Sequence, residues 1–496
     1  MTATSTHMPN ADAAWLHMDR PTNLMVINSV LLFDEPLDWA RLADVVDRRM
    51  VQRYPRFRQR VVESAIALRG PSFADDPDYD LARHMHRLGL PAPGDEAALM
   101  NLAGDLAATP LDRGKPLWDM YLLDGPGAGA TVLVRMHHCI ADGIALARVM
   151  LSLTDTAPDA PIDAAALAPR AHPRSGLRAA AGAPLAVLRA PVSALGAAAG
   201  AALATTQAVA STLTHESVAV LRGPGHAVEL TRRAGEDAQA LAKLLFTPSD
   251  HPSSLKGDLG AGRAVAWCKP LSLQSVKTVA HAQGATVNDV LLSAVSGALR
   301  SHLLDRGEPP HALRAFIPYN LRPPDRPVPR ELGNRFGLVF LTLPVDIADR
   351  RARLRELKRR MDAIKHSPEA PISYAILQAV GLTPAAIESR VIDIFTAKAS
   401  AVMTNVPGPR ETVYLAGTAL RGVLVWAPTS GSVSMSVSIF SYHGEVTVGL
   451  LVHAHLVPDP QAIVDRVKPE LRALARLAPL AGDGRGGTAK ARAARR

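Results

Sequence analysis

The chain has 496 residues, carries 55 Lys and Arg against 46 Asp and Glu for a formal net charge of +9, and is 48% hydrophobic. That length fits two to three domains, and the apolar content supplies a buried core, which excludes a mostly disordered chain. Two cysteines, Cys139 and Cys268, exclude a disulfide scaffold and a cysteine-rich zinc module, and 4% aromatic residues are too few for base-stacking platforms.

The N-terminal MTATSTHMPNADAAWL has no basic stretch followed by an apolar run, so no signal peptide is read there and a cytoplasmic location is the default. Leu42, Val45, Val46 and Met50 have helical spacing. Residues 131–136 are β-branched and apolar and predict a strand. A helix is expected from Ile144 to Leu153, with Ile144, Ala147, Met150 and Leu151 on one side. From about 156 the composition turns Pro- and Ala-rich and reads as a linker. Ala190 to Thr214 is 25 residues long without a formal charge. Its Ala, Gly, Ser and Thr content favours a helix packed on the protein or lying at a bilayer surface over a membrane span. Helices are expected again from Leu271 to Gln283 and from Asn288 to Leu304, and strands from Leu338 to Leu343 and from Val433 to Phe440. The last 16 residues hold Arg485, Lys490, Arg492, Arg495 and Arg496 against Asp483, a net +4. They read as a solvated disordered tail, with weak attraction to an anionic membrane as the functional alternative. Gly482 to Gly487 satisfies GxGxxG by letter, but it follows no strand and opens no helix, so no dinucleotide cofactor is implied. The expected division is an N-terminal lobe over 1–155, a linker with helices over 156–255, a C-terminal lobe over 256–480 and a basic tail over 481–496.

The chemically informative stretch runs from Val134 through His137, His138, Cys139, Ile140, Ala141, Asp142 and Gly143. Two adjacent histidines end the predicted strand, where neighbouring side chains face opposite ways. Only one of them can therefore face a given pocket, and the two cannot converge on one metal ion. No HExxH or other metal-ligand spacing occurs elsewhere, and there is no GxSxG elbow. One histidine without a Ser or Cys nucleophile points to general-base chemistry, because imidazole is largely neutral at pH 7 and can accept a proton. With a thioester donor, the departing thiol ionises near about pH 8.5 and needs no strong acid opposite the base. Asp142 can cap the following helix and Gly143 permits a tight turn, which fixes the loop around His138.

The stretch His137 to Gly143 resembles the HHxxxDG signature of the bacterial wax ester synthase/diacylglycerol acyltransferases, within the wider superfamily of chloramphenicol acetyltransferases and peptide-synthetase condensation domains. Further blocks carry the resemblance: Pro116-Leu117-Trp118, Asn288-Asp289 at a helix start, Gly333-Asn334, and Asn405 to Pro409. The openings ADAAWLHMDRPTNLM and YPRFRQR are similar as well. The resemblance implies an α/β (α+β) two-lobed chloramphenicol acetyltransferase-like fold, with a tunnel between the lobes and a variable helical linker. It implies that His138 deprotonates an acceptor alcohol, which then attacks a fatty acyl-CoA thioester without an acyl-enzyme. Asp142 would hold the loop through an arginine, with Arg322 as the expected partner, and His137 would support. Pro116, Leu117 and Trp118 would pack at the lobe edge. Asn288 and Asp289 would order the second lobe, with Asn288 capping its helix. Acyl-CoA enters as a substrate, so neither cofactor nor metal is implied. The implied partners are diacylglycerol or a long-chain alcohol and a peripheral membrane or lipid-droplet surface, with no nucleic acid. Thr404-Asn405 and Ser430 to Ser432 are candidates for the oxyanion donor. One departure stands out: where the family pattern has an acidic residue before VPDP, this chain has His453.

Other readings compete. Cys139 beside His138 invites a covalent acyl-enzyme, but a residue one step along a strand faces away. His137 and Asp142 also fit the HxxxxD pattern of glycerol-phosphate acyltransferases, in which the Asp orients the His. An acceptor on another lipid or a polyketide, or a non-catalytic lipid-binding protein, completes the alternatives.

Overall fold

The computed structural model describes residues 5–63, 70–124, 129–162, 239–244, 246–323, 327–365, 367–383 and 385–477. The stretch from Ala190 to Thr214, the basic tail and its GxGxxG run lie outside these residues.

Among the described residues the chain builds two seven-stranded sheets and one small three-stranded sheet. At the centre of the first large sheet the strands Val26–Phe33 and Ala130–His137 pair antiparallel, and every residue of both is buried. Alternation sorts their side chains. Val132, Val134 and Met136 enter one core with Trp15, while Leu133 joins a second cluster with Leu123 and Trp426. The second sheet carries the strands Leu313–Asn320, Phe336–Leu343, Ala401–Pro407, Met435–Tyr442 and Glu445–His453. Its core is built on the helix Val287–Asp305, buried on most sides through Leu291, Val295 and Leu299. The result is a two-lobed α/β fold.

The lobes are not separate in sequence. Thr418–Trp426 and Tyr414–Leu415, which the sequence places in the second lobe, complete the first sheet. Without Thr418–Trp426, one edge of Val26–Phe33 would be left unpaired.

Two local expectations are corrected. The helix after the histidines, Gly143–Ser152, buries Ala145, Leu146 and Val149, whereas Ile144 is 36% exposed. The cap at Asp142 sets the helical phase, which hydrophobicity alone misjudged by about a third of a turn. The second helix is capped by Thr286 rather than Asn288. The Thr286 hydroxyl accepts the Asp289 N–H (3.2 Å), and the Asp289 carboxylate accepts the Thr286 N–H (2.8 Å).

Gly337 brings helix Glu369–Val380 against the second sheet. A Cβ there would lie 1.8 Å from the Ala370 carbonyl oxygen. Gly337→Ala is therefore expected to cost at least about 1–3 kcal/mol of stability by overpacking, read as a lower denaturant midpoint. Among the described residues no helix is long and apolar enough to cross a membrane.

Candidate active site

His138 follows directly on the strand Ala130–His137, and its own N–H donates to the Met25 carbonyl (2.7 Å). The ring is nearly sealed, with the residue 5% exposed. The Trp15 indole stacks on it at 4.2 Å between centroids and 21° between planes, and Phe336 lies 5.4 Å away. Nδ1 is buried without a hydrogen-bond partner. Burial holds the His138 pKa down at about 4, against the opposing pull of the Asp142 carboxylate. The imidazole is therefore neutral at pH 7 and able to take up a proton.

His137 lies 2% exposed beside it. Its Nδ1 lies 3.1 Å from the Cys139 N–H, and Nε2 lies 3.8 Å from the Asp19 carboxylate. Burial would push the Asp19 carboxyl up, but His137, the Met25 N–H and Arg113 together hold it below its usual value. His137 thus props the loop from the side away from Trp15.

The Asp142 carboxylate caps the next helix through the Ala145 N–H (2.9 Å). Its other oxygen accepts the Arg335 N–H (3.0 Å) and pairs with the Arg322 guanidinium, which also reaches the Gly333 carbonyl. Arg322 is thus the partner expected from the sequence. Asp142 makes no hydrogen bond to either histidine, so the geometry is not that of a carboxylate orienting its base.

A second clamp joins residues of three blocks that carry the family resemblance but to which the sequence assigns no role. Asp12 and Arg56, both buried, pair at 2.7 Å. Arg56 also donates to the carbonyls of Cys139 (3.0 Å) and Ile140 (2.7 Å). Asn334 spans the two, its Nδ2 donating to Asp12 (2.8 Å) and to the His138 carbonyl (2.7 Å). Burial pushes the Asp12 carboxyl up in pKa despite Arg56 and Asn334. Gly333 adopts φ +94 so that its N–H meets the Ile140 carbonyl (3.1 Å). Three carbonyls of the loop, those of His138, Cys139 and Ile140, are thereby tied down from both lobes.

The remaining sequence candidates fall in several places. Leu117 lends its carbonyl to the His137 N–H (2.9 Å), and Trp118 is fully buried with Nε1 on the Phe57 carbonyl (2.8 Å). Pro116-Leu117-Trp118 therefore supports the histidine strand from within the first core rather than from the lobe edge. Asn288 and Asp289 make no hydrogen bond with residues 137–143. Asn288 instead bonds Asn405 Nδ2 (2.8 Å), and Asp289 caps its own helix. Two of the oxyanion candidates have hydrogen-bond partners of their own. Thr404 Oγ1 donates to the Val437 carbonyl (3.4 Å), and the Ser432 hydroxyl accepts from Lys256 (3.0 Å). His453 is fully buried opposite Arg263, with Nδ1 on the Gly260 carbonyl (2.8 Å). Burial first, then Arg263, depresses its pKa to about 4. Among the described residues no group of three or more His, Cys, Asp or Glu is placed to hold a metal ion.

Cys139 is fully buried, and its backbone N–H and carbonyl are held by His137 and Arg56. Cys139→Ser is expected to keep most of the turnover in a labelled acyl-CoA assay. A hundredfold loss in the variant, together with an acyl thioester trapped on Cys139 of the wild type, would contradict this.

A sequence profile of the wax ester synthase/diacylglycerol acyltransferase catalytic domain matches residues 8–291, and one of the WS/DGAT C-terminal domain matches residues 332–475. A putative diacylglycerol O-acyltransferase of Mycobacterium tuberculosis is 26% identical over 479 residues, covering 93% of this chain and 89% of that protein. A probable diacylglycerol O-acyltransferase of the same organism is 27% identical over 476 residues, covering 91% and 92%. Among solved structures, the wax ester synthase/diacylglycerol acyltransferase from Marinobacter aquaeolei superposes with a TM-score of 0.64 at 21% identity, over 96% of this chain and 100% of that one. The first condensation domain of the calcium-dependent antibiotic synthetase superposes with a TM-score of 0.55 at 15% identity, over 96% of each chain. These two likenesses show a shared fold.

Proposed function

The chain belongs to the wax ester synthase/diacylglycerol acyltransferase family, and from that premise we propose how its residues carry out acyl transfer. The enzyme is an O-acyltransferase that moves a fatty acyl group from acyl-CoA to the hydroxyl of diacylglycerol or of a long-chain alcohol, giving triacylglycerol or a wax ester. His138 is the base. Its neutral ring takes the proton of the acceptor hydroxyl as the oxygen attacks the thioester carbonyl carbon. The new C–O bond forms, and the carbonyl electron pair moves onto oxygen. When the pair returns, the C–S bond breaks and CoA leaves as thiolate, taking the proton back from His138. A base of this kind contributes about 10²–10⁴-fold.

One observation carries this reading: the loop is clamped from two lobes so that a buried, neutral imidazole sits beside the aromatic pair Trp15 and Phe336. A direct transfer predicts that acyl-CoA labelled in the acyl chain leaves no label on the protein without acceptor, and gives product once diacylglycerol or a long-chain alcohol is added. One equivalent of protein-bound label in the absence of acceptor would refute the direct route. An acceptor panel on the purified protein then ranks the two alcohols. Apolar pockets discriminate by only about 1–3 kcal/mol per methylene, so both are expected to react.

Both products are insoluble, so the enzyme works at a lipid surface. Leu382, Ile387 and Ile394 support this, being 51%, 47% and 51% exposed around the helix Ala385–Thr396, as does the basic tail. Deleting residues 481–496 is expected to weaken co-sedimentation with anionic vesicles. Unchanged binding would exclude the tail.

A further inference from the structure

Acyl transfer through a tetrahedral intermediate needs a hydrogen-bond donor where the carbonyl oxygen becomes negative. The side-chain donors around His138 are already committed: Arg56 and Asn334 to loop carbonyls and Asp12, Arg322 to Asp142 and Gly333. The exceptions are His137 Nε2, which faces the Asp19 carboxylate at 3.8 Å, and the Trp15 indole N–H. The indole N–H is buried and has no acceptor, although Trp usually finds one when buried. The contrast with Trp118 is instructive, since that N–H is satisfied by the Phe57 carbonyl at 2.8 Å.

The indole lies 4.2 Å from the His138 ring and within 21° of its plane. Ring nitrogens bond in the plane of their ring, so both side chains meet their partners at the rim of one two-ring stack. Trp15 is also held rigidly. Its helix, Asn10–His17, is pinned at one end by Asp12 on Arg56 (2.7 Å) and at the other by His17 on Glu388 (2.9 Å). That is the preorganisation an oxyanion donor requires.

We propose that the Trp15 indole N–H donates a hydrogen bond to the thioester carbonyl oxygen as charge develops on it, making Trp15 the oxyanion donor of this site. The inference rests on the reading of His138 as base, and the test separates the two.

Trp15→Phe keeps an aromatic ring on His138 and deletes the N–H. The expected result is a 10²–10³-fold lower kcat per folded molecule, with KM for acyl-CoA within about twofold; the smaller ring leaves a cavity, so some loss of melting temperature accompanies it. Benzothienylalanine incorporated at position 15 keeps the indole shape and removes only the donor, and it should reproduce the same loss even if the Phe variant folds poorly. Wild type and His138→Ala run alongside. If both position-15 variants turn over within about threefold of wild type while His138→Ala is inactive, the donor assignment is overturned and the base stands. If His138→Ala is as active as wild type, the base reading itself falls.

Discussion

Replacing His138 by alanine is expected to lower kcat by about 10²–10⁴-fold with little change in the binding of acyl-CoA. The structure supports a large effect because, among the described residues, the neighbouring titratable groups are otherwise engaged. His137, the neighbouring imidazole, has Nδ1 at the Cys139 N–H and turns Nε2 toward Asp19. Asp142 spends its oxygens on Ala145, Arg335 and Arg322. The measurement is initial-rate formation of labelled triacylglycerol or wax ester, with the fold of the variant checked by circular dichroism. The folded variant should stay cold in product while the backbone bonds of the loop persist, since Asn334 and Arg56 hold carbonyls rather than the ring. A rate within a few-fold of wild type would show that the imidazole is packing.

The second large effect falls on stability. Arg322→Ala strips the buried Asp142 carboxylate of the one cation paired with it among the described residues and removes the bond to Gly333. Breaking a buried pair by deleting one partner costs about 3–5 kcal/mol, because the remaining charge stays desolvated. Asp142→Asn should cost a similar amount from the opposite side, even though asparagine still caps the helix. Chemical denaturation reads both. The fraction that remains folded is expected to turn over within about tenfold of wild type, because the pair acts on loop position and not on the proton. A thousandfold rate loss at an unchanged denaturation midpoint would instead make Asp142 the orienting member of a catalytic dyad, the arrangement of the HxxxxD acyltransferases.

Much of this was readable from the chain because it is local. A β-branched run ending in His-His and followed, after three intervening residues, by Asp-Gly dictates a strand, a turn and a capped helix, and that is the observed order. The family pattern extended the reading to Arg322. Other features are set by contacts that leave no local mark. Asp12 meets Arg56 from 44 residues away and Asn334 from 322. Trp15 reads as one more core aromatic until its ring is seen on His138. The face of helix Gly143–Ser152 was misjudged because the cap fixes its rotation, whereas hydrophobic spacing leaves several faces open. The exchange of Tyr414–Leu415 and Thr418–Trp426 into the first sheet follows from which strand edge needs a partner, and that is a property of the whole fold. His453, which departs from the family pattern, sits fully buried against Arg263 and Asn23 rather than at the histidine loop.

The protonation state of His138 is the point on which the account stands. Its folded pKa is depressed, so the neutral base is present throughout neutral pH and is lost only as the pH falls through about 4. The same shift makes the fold acid-sensitive. Between the ordinary histidine value near about 6.5 and about 4, the unfolded chain binds protons that His138 and His453 refuse, so stability declines as the pH is lowered across that window. The decisive measurement is the pH dependence of kcat/KM with acyl-CoA and diacylglycerol, taken over times in which circular dichroism shows the protein folded. A plateau from neutral pH down to about 5 and an acid limb centred near 4 is the predicted result. A limb centred near the ordinary imidazole value, or a rate that stays level below about pH 3, would contradict a buried neutral imidazole as the base.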